Sequence, residues 1–143
     1  MLKSDSISEK IYQISNLQQN FVAQSLKYLE LNPIQARSLN YIAQHPGTIQ
    51  KNLAGYLEKP NATVTNILKS LEKADFIKRK IPVENERQKQ LFLTAAGERV
   101  IGEVEQIFAQ LNALVELELT AKEIDSLNQV LPKVASVFSK EKS

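Results

Sequence analysis

Apolar positions along this chain recur mostly at intervals of three and four, with one short exception. Ile7, Ile11, Ile14, Leu17 and Phe21 form a first stripe, continued loosely through Leu26 and Leu29. Such spacing predicts an amphipathic helix, and Ser6-Ile7-Ser8-Glu9 reads as the capping box that opens it. Asn32-Pro33 predicts the start of a second helix, with Asn as cap and Pro at the first helical position, and Ile34, Leu39 and Ile42 facing inward. His45-Pro46-Gly47 ends it. Thr48 is expected to cap a third helix, whose inner positions are Ile49, Leu53, Ala54 and Leu57.

Glu58-Lys59-Pro60 predicts a tight break, and Asn61 is expected to cap a fourth helix running to Ile77. Its apolar stripe is Val64, Ile67, Leu68 and Leu71. Two short helices joined by so few residues form a helix-turn-helix. The period then switches to two: Ile77, Arg79 and Ile81 alternate with lysines, and Gln90-Leu91-Phe92-Leu93-Thr94 alternates again. This predicts a hairpin with the charged tip Pro82–Arg87. A bare hairpin is marginal in water, so it must pack on the helices. A helix-turn-helix followed directly by such a hairpin is a winged helix.

Thr94 is expected to cap a fifth helix of about 25 residues, or about 37 Å. It carries Val100, Ile101, Val104, Ile107, Phe108, Leu111, Leu114 and Val115. Thr120-Ala121-Lys122-Glu123 is a second capping box. The last helix presents Ile124, Leu127, Val130, Leu131, Val134, Val137 and Phe138, and Pro132 inside it should kink or locally break it. The first, fifth and sixth helices expose more apolar surface than a small winged domain can cover, so a partner surface is expected. The fold class is therefore mainly α with a small β-hairpin wing, a winged helix-turn-helix flanked by N- and C-terminal dimerisation helices. Residues 1–31 and 95–143 are expected to form the helical dimerisation region, and residues 32–94 the winged helix-turn-helix domain.

The polar face of the fourth helix points to chemistry. Thr63, Thr65 and Asn66 lead and Lys69 and Lys73 follow, where an ordinary solvated face would carry mixed Glu and Lys. Short polar groups can bond base edges while lysines reach phosphates. Net charge is only +2, but residues 33–94 hold ten Lys/Arg against five Asp/Glu, and the flanks hold eight against eleven. A basic centre between acidic ends suits a polyanion.

Composition excludes several classes. With no Cys there is no disulfide, thiolate metal site or cysteine redox switch, and the single His45 cannot build an imidazole metal site. No Gly-rich phosphate loop and no paired catalytic carboxylates are present, so an enzyme is not expected, and neither is a metal or cofactor. No apolar run reaches the length of a membrane span. The N-terminus lacks a signal peptide, and a cytoplasmic protein is expected.

The ordered patterns resemble the MarR family of transcriptional regulators. Leu31-Asn32-Pro33-Ile34-Gln35 resembles the entry to its second helix, and Leu53-Ala54 with Thr63-Val64-Thr65 resembles its helix-turn-helix. Leu71-Glu72-Lys73 followed by Phe76-Ile77 resembles the end of the recognition helix. Leu91-Phe92-Leu93-Thr94-Ala95-Ala96-Gly97 resembles the return strand of the wing and the turn beyond it. Two departures stand out. The Asp-x-Arg usual in the family's wing is Asn85 and Arg87 here, and the Gly usual after the recognition helix is Asp75, a residue that tolerates left-handed backbone.

The resemblance implies a homodimer whose first, fifth and sixth helices interlock and whose recognition helices enter successive major grooves. It implies a sequence-specific regulator of pseudo-palindromic double-stranded DNA, a repressor, responsive to a small aromatic or anionic effector. The expected DNA-binding residues are Asn61, Thr63, Thr65 and Asn66 near base edges, Lys69, Lys78 and Lys89 at phosphates, and Arg87 in a narrow minor groove. The alternative is an architectural, weakly specific DNA-binding protein.

Overall fold

A computed structural model describes residues 5–84 and 88–140. The elements run α1 (Ile7–Lys27), α2 (Pro33–Gln44), α3 (Gln50–Leu57), α4 (Asn61–Lys73), β1 (Ile77–Lys80), β2 (Gln90–Leu93), α5 (Ala95–Glu116) and α6 (Ala121–Lys140). The chain divides into two compact units, one up to Phe108 and one from Ala109.

In the first unit, α2, α3 and α4 surround a core of Leu39, Ile42, Leu53, Val64, Leu68 and Leu71, all essentially solvent-free. Each such side chain contributes roughly 1.5–3 kcal/mol by leaving water. Leu26 of α1, Ile77 and Leu91 of the wing, and Val100, Ile101 and Val104 of α5 are buried too. The stripe expected on α4 is therefore the inner face, residue for residue. β1 and β2 pair antiparallel, Ile77 with Leu93 and Arg79 with Leu91. Lys78 and Lys80 consequently fall on the outer face and Ile77 on the inner one.

Local chemistry sets most helix ends. Asn32 and Gln35 form a complete capping box, with both reciprocal bonds at 2.9 Å. Ser6 accepts from the Glu9 amide at 3.0 Å, but Glu9 bonds Gln13 and the reciprocal half of that box is not made. Three helices close with the same pair of bonds around a left-handed residue that is not glycine: Glu30, Glu58 and Asp75, at φ 58°, 55° and 65°. After α4, Phe76 N donates to Leu71 O and Asp75 N to Glu72 O, a Schellman closure. The helix thus stops at Lys73 rather than reaching Ile77, and Ile77 begins the strand instead.

Two caps differ from expectation. Thr48 does not cap α3. It is buried in a β-bridge with Leu91, whose N–H donates to Thr48 O at 2.8 Å, and Ile49 becomes the N-cap without a side-chain bond. Asn61 does not cap α4 either. Pro60, extended at φ −63° and ψ 152°, takes that place, and Asn61 is the first helical residue. The proline ring already holds the φ that a cap requires.

The second unit holds the end of α5 and α6. Thr120 and Glu123 complete the capping box foreseen there. Pro132 does not break α6, which continues as one helix to Lys140. A lost amide bond in an exposed helix is tolerated when the turns on both sides hold. Leu127, Val130, Leu131, Val134, Val137 and Phe138 all stay exposed. No helix among the described residues is long and apolar enough to cross a membrane.

Candidate nucleic-acid interface

The stripe that buries α4 also dictates what it shows outward. With Val64, Ile67, Leu68 and Leu71 inside, the 3.6-residue period turns Ala62, Asn66, Lys69 and Lys73 directly away from the core, and all four are exposed. Asn61 and Thr63 are exposed beside this line. Asn66 and Lys69 lie one turn apart, so one amide and one ammonium share a strip of surface at the helix centre.

Thr65 sits differently. It is half-buried on the flank toward α3, where its hydroxyl donates to Asn61 O at 2.9 Å. Thr65 Oγ1 in turn accepts from Gln50 Nε2 at 2.8 Å, and Gln50 also reaches Asn61 O at 3.2 Å. These bonds tie the first turn of α3 to the first turn of α4. On the other flank Ser70 accepts from Gln35 Nε2 at 3.0 Å and donates to Ile67 O. The outer face of α4 is thereby held on both sides by neutral hydrogen bonds, and its central strip is left open.

The wing continues the basic surface. Lys78 is exposed on β1 and Lys89 is exposed just before β2. Lys80, also exposed, lies 5.1 Å over the Phe92 ring. Arg79 turns inward, and its Nε and a terminal nitrogen meet Glu72 Oε1 at 3.0 and 2.8 Å. That pair joins the last turn of α4 to the wing and cancels one carboxylate beside the basic face. Arg87 lies outside the described residues, as does Asn85. The sequence pattern therefore located Asn61, Thr63, Asn66, Lys69, Lys78 and Lys89 on exposed surface, but it missed Gln50, Glu72 and Arg79. Their pairing spans 7 to 15 residues, so no helical or strand period points to it. No group of three or more His, Cys, Asp or Glu side chains among the described residues could hold a metal ion.

A helix-turn-helix with a hydrogen-bonded wing and an open polar strip on its second helix is a winged-helix domain. Residues 31–89 match the model of the MarR family, so the resemblance read from the sequence holds over that stretch. No curated protein sequence matches the chain. Among solved structures it is similar to MepR, a transcription regulator of the Staphylococcus aureus multidrug efflux pump MepA. The identity is 24% over 93% of this chain and 98% of that one, with a TM-score of 0.83. It is also similar to wild-type apo MarR from E. coli, at 20% identity over 93% and 98%, TM-score 0.79. The S. aureus MepR–DNA complex matches at 23% identity over 96% and 99%, TM-score 0.76. These likenesses extend the winged-helix fold to the helices on both sides of residues 31–89.

Proposed function

We propose that this protein is a non-enzymatic, sequence-specific transcriptional regulator that binds pseudo-palindromic double-stranded DNA as a homodimer and acts as a repressor in the cytoplasm. The observation that carries the reading is the open strip of α4, with Asn66 and Lys69 exposed and flanked by Asn61 and Thr63. Asn suits the N6 and N7 edge of adenine, and lysines suit phosphates. Thr65, with its hydroxyl committed, holds the helix start in place. Lys78 and Lys89 extend the phosphate contacts along the wing, and Arg87 enters the minor groove. Support also comes from a similar fold, MepR, solved as a DNA complex.

Residues 32–94 are the DNA-binding part in this reading, and residues 1–31 and 95–143 the dimerisation part. Ile7, Ile11, Ile14 and Leu17 of α1, with the apolar face of α6, are exposed in the single chain, and a second copy would cover them. Two-fold symmetry then sets two α4 helices about one DNA turn apart. A cavity of about 450 Å³ lined by Ala36, Arg37, Asn40, Tyr56, Val104, Glu105 and Phe108 supports an effector. Arg37 lies 5.2 Å over the Tyr56 ring, so aromatic faces, a cation and the Glu105 carboxylate line one space, which suits a small aromatic molecule, with the Arg37 guanidinium left for an anionic group. Selection of duplexes from a random pool by the purified protein tests the reading. The expected product is an inverted repeat bound by two chains. Equal affinity for every sequence would favour an architectural binder, and a monomer by sedimentation at micromolar concentration would remove the dimer.

A further inference from the structure

Between the first turn of α3 and the wing lies a cleft of about 280 Å³, lined by Ile49, Gln50, Lys51, Arg79, Gln88, Lys89 and Leu91. Three of these side chains are cationic and none is acidic. Lys51 and Lys89 are exposed at its rim, and Arg79 is largely covered, with 21% of its side chain accessible. A guanidinium has five N–H donors. Glu72 engages two of the Arg79 donors through one oxygen, so three are left for another acceptor while the plane of the group is already held. Gln50 lines the same cleft and is bonded to Asn61 and Thr65, at the start of the helix that carries the open strip.

We propose that this cleft seats one backbone phosphate of duplex DNA between Lys51, Arg79 and Lys89. The inference rests on the DNA-binding reading and deepens it. A bare phosphate would have to order two exposed lysines on its own. A phosphate carried by a duplex already docked on α4 arrives with that ordering shared among many contacts. Glu72 is then a positioning residue, since it orients Arg79 and has no acceptor role toward a polyanion. Gln50 transmits the register: a phosphate held in the cleft fixes the first turn of α3, and that turn fixes the first turn of α4.

The test uses the full chain and a duplex selected from a random pool, with a scrambled duplex beside it. Affinity is measured at several salt concentrations. Each lost phosphate contact should flatten the plot of log affinity against log salt by about 0.9, which is about threefold less loss between 50 and 200 mM salt. Lys51→Ala and Lys89→Ala should each show part of this on both duplexes and the double variant most of it, while Lys27→Ala, at the end of α1, should show none. Arg79→Ala also breaks the pair with Glu72, so its folding is checked by melting. Wild-type protein supplies the independent arm. Single neutral methylphosphonates are moved along the selected duplex, and one position in each half-site should weaken wild type more than Lys51→Ala, which keeps only Arg79 and Lys89 at that phosphate. Unchanged salt slopes, or methylphosphonate losses that add fully to that of Lys51→Ala, would overturn the cleft while leaving DNA binding intact. Failure of wild type to bind either duplex at 50 mM salt would overturn the DNA reading itself. Inorganic phosphate at constant ionic strength should not raise the melting temperature at millimolar concentration. Micromolar binding would instead make the cleft a free-anion site and refute the backbone assignment.

Discussion

Gly97 and Gly102 lie in the same helix, and replacing each by alanine should move stability in opposite directions. Gly97 is the third residue of α5, at the point where that helix leaves the wing. Thr94 N donates to Phe76 O at 3.0 Å, and Thr94 Oγ1 donates to Asp75 O and accepts from Gly97 N at 3.0 Å. These bonds press the start of α5 onto the strand entry. A Cβ on Gly97 would overlap the carbonyl oxygen of Phe76, with the carbonyl carbon only 3.0 Å away and Leu93 Cβ at 3.3 Å. The obstacle is backbone held by hydrogen bonds, so no side chain can swing clear. Overpacking of this kind costs about 1–3 kcal/mol, and a backbone obstacle belongs at the upper end. Removing a helical glycine returns less than about 1 kcal/mol, least of all in the first turn. Gly97→Ala should therefore lose about 2 kcal/mol or more. Nothing lies within 4 Å of a Cβ on Gly102, so Gly102→Ala should gain about 0.5–1 kcal/mol. Urea unfolding of the three proteins, at one protein concentration because dimerisation links stability to concentration, gives both values. If Gly97→Ala unfolded at the same urea concentration as wild type or higher, the close approach of α5 to Phe76 would be refuted.

Asp75 holds φ at 65° with its side chain exposed, so Asp75→Gly should keep both Schellman bonds and stabilise by about 0.5–1 kcal/mol. A clear fall in melting temperature would show that the carboxylate itself is needed. Asn66→Ala should cost about 1–3 kcal/mol on the preferred duplex and much less on a scrambled one; equal losses on both would remove Asn66 from base readout. With no Cys in the chain and its one Met at position 1, DNA affinity should not change after mild peroxide at doses that spare the fold. Loss of binding under those conditions would mean that another oxidisable group governs the interface.

Features closed within one turn of chain were legible in the amino-acid order. The stripe Val64, Ile67, Leu68 and Leu71 predicted the buried face of α4 because burial and the helical period act on the same few residues. The cap at Asn32 and the box at Thr120 formed because their partners are three residues away, whereas the box read at Ser6 closed only through the Ser6 hydroxyl, since Glu9 bonds Gln13 instead. Asp75 was expected to be left-handed, and it is. Features that depend on which elements meet were decided only in the folded chain. Thr48 could have capped α3 but was drawn to Leu91, 43 positions along, because burial in a β-bridge satisfies its backbone. Thr65 looked as free as Thr63 until α3 brought Gln50 to its hydroxyl. Arg79 and Glu72 lie on different elements, and only the packing of the wing against α4 joins them. Pro132 signalled a kink or a local break, and α6 runs through it without a break. A residue's own preference acts over a few positions, and where a distant group offers a buried or charged partner, that partner decides.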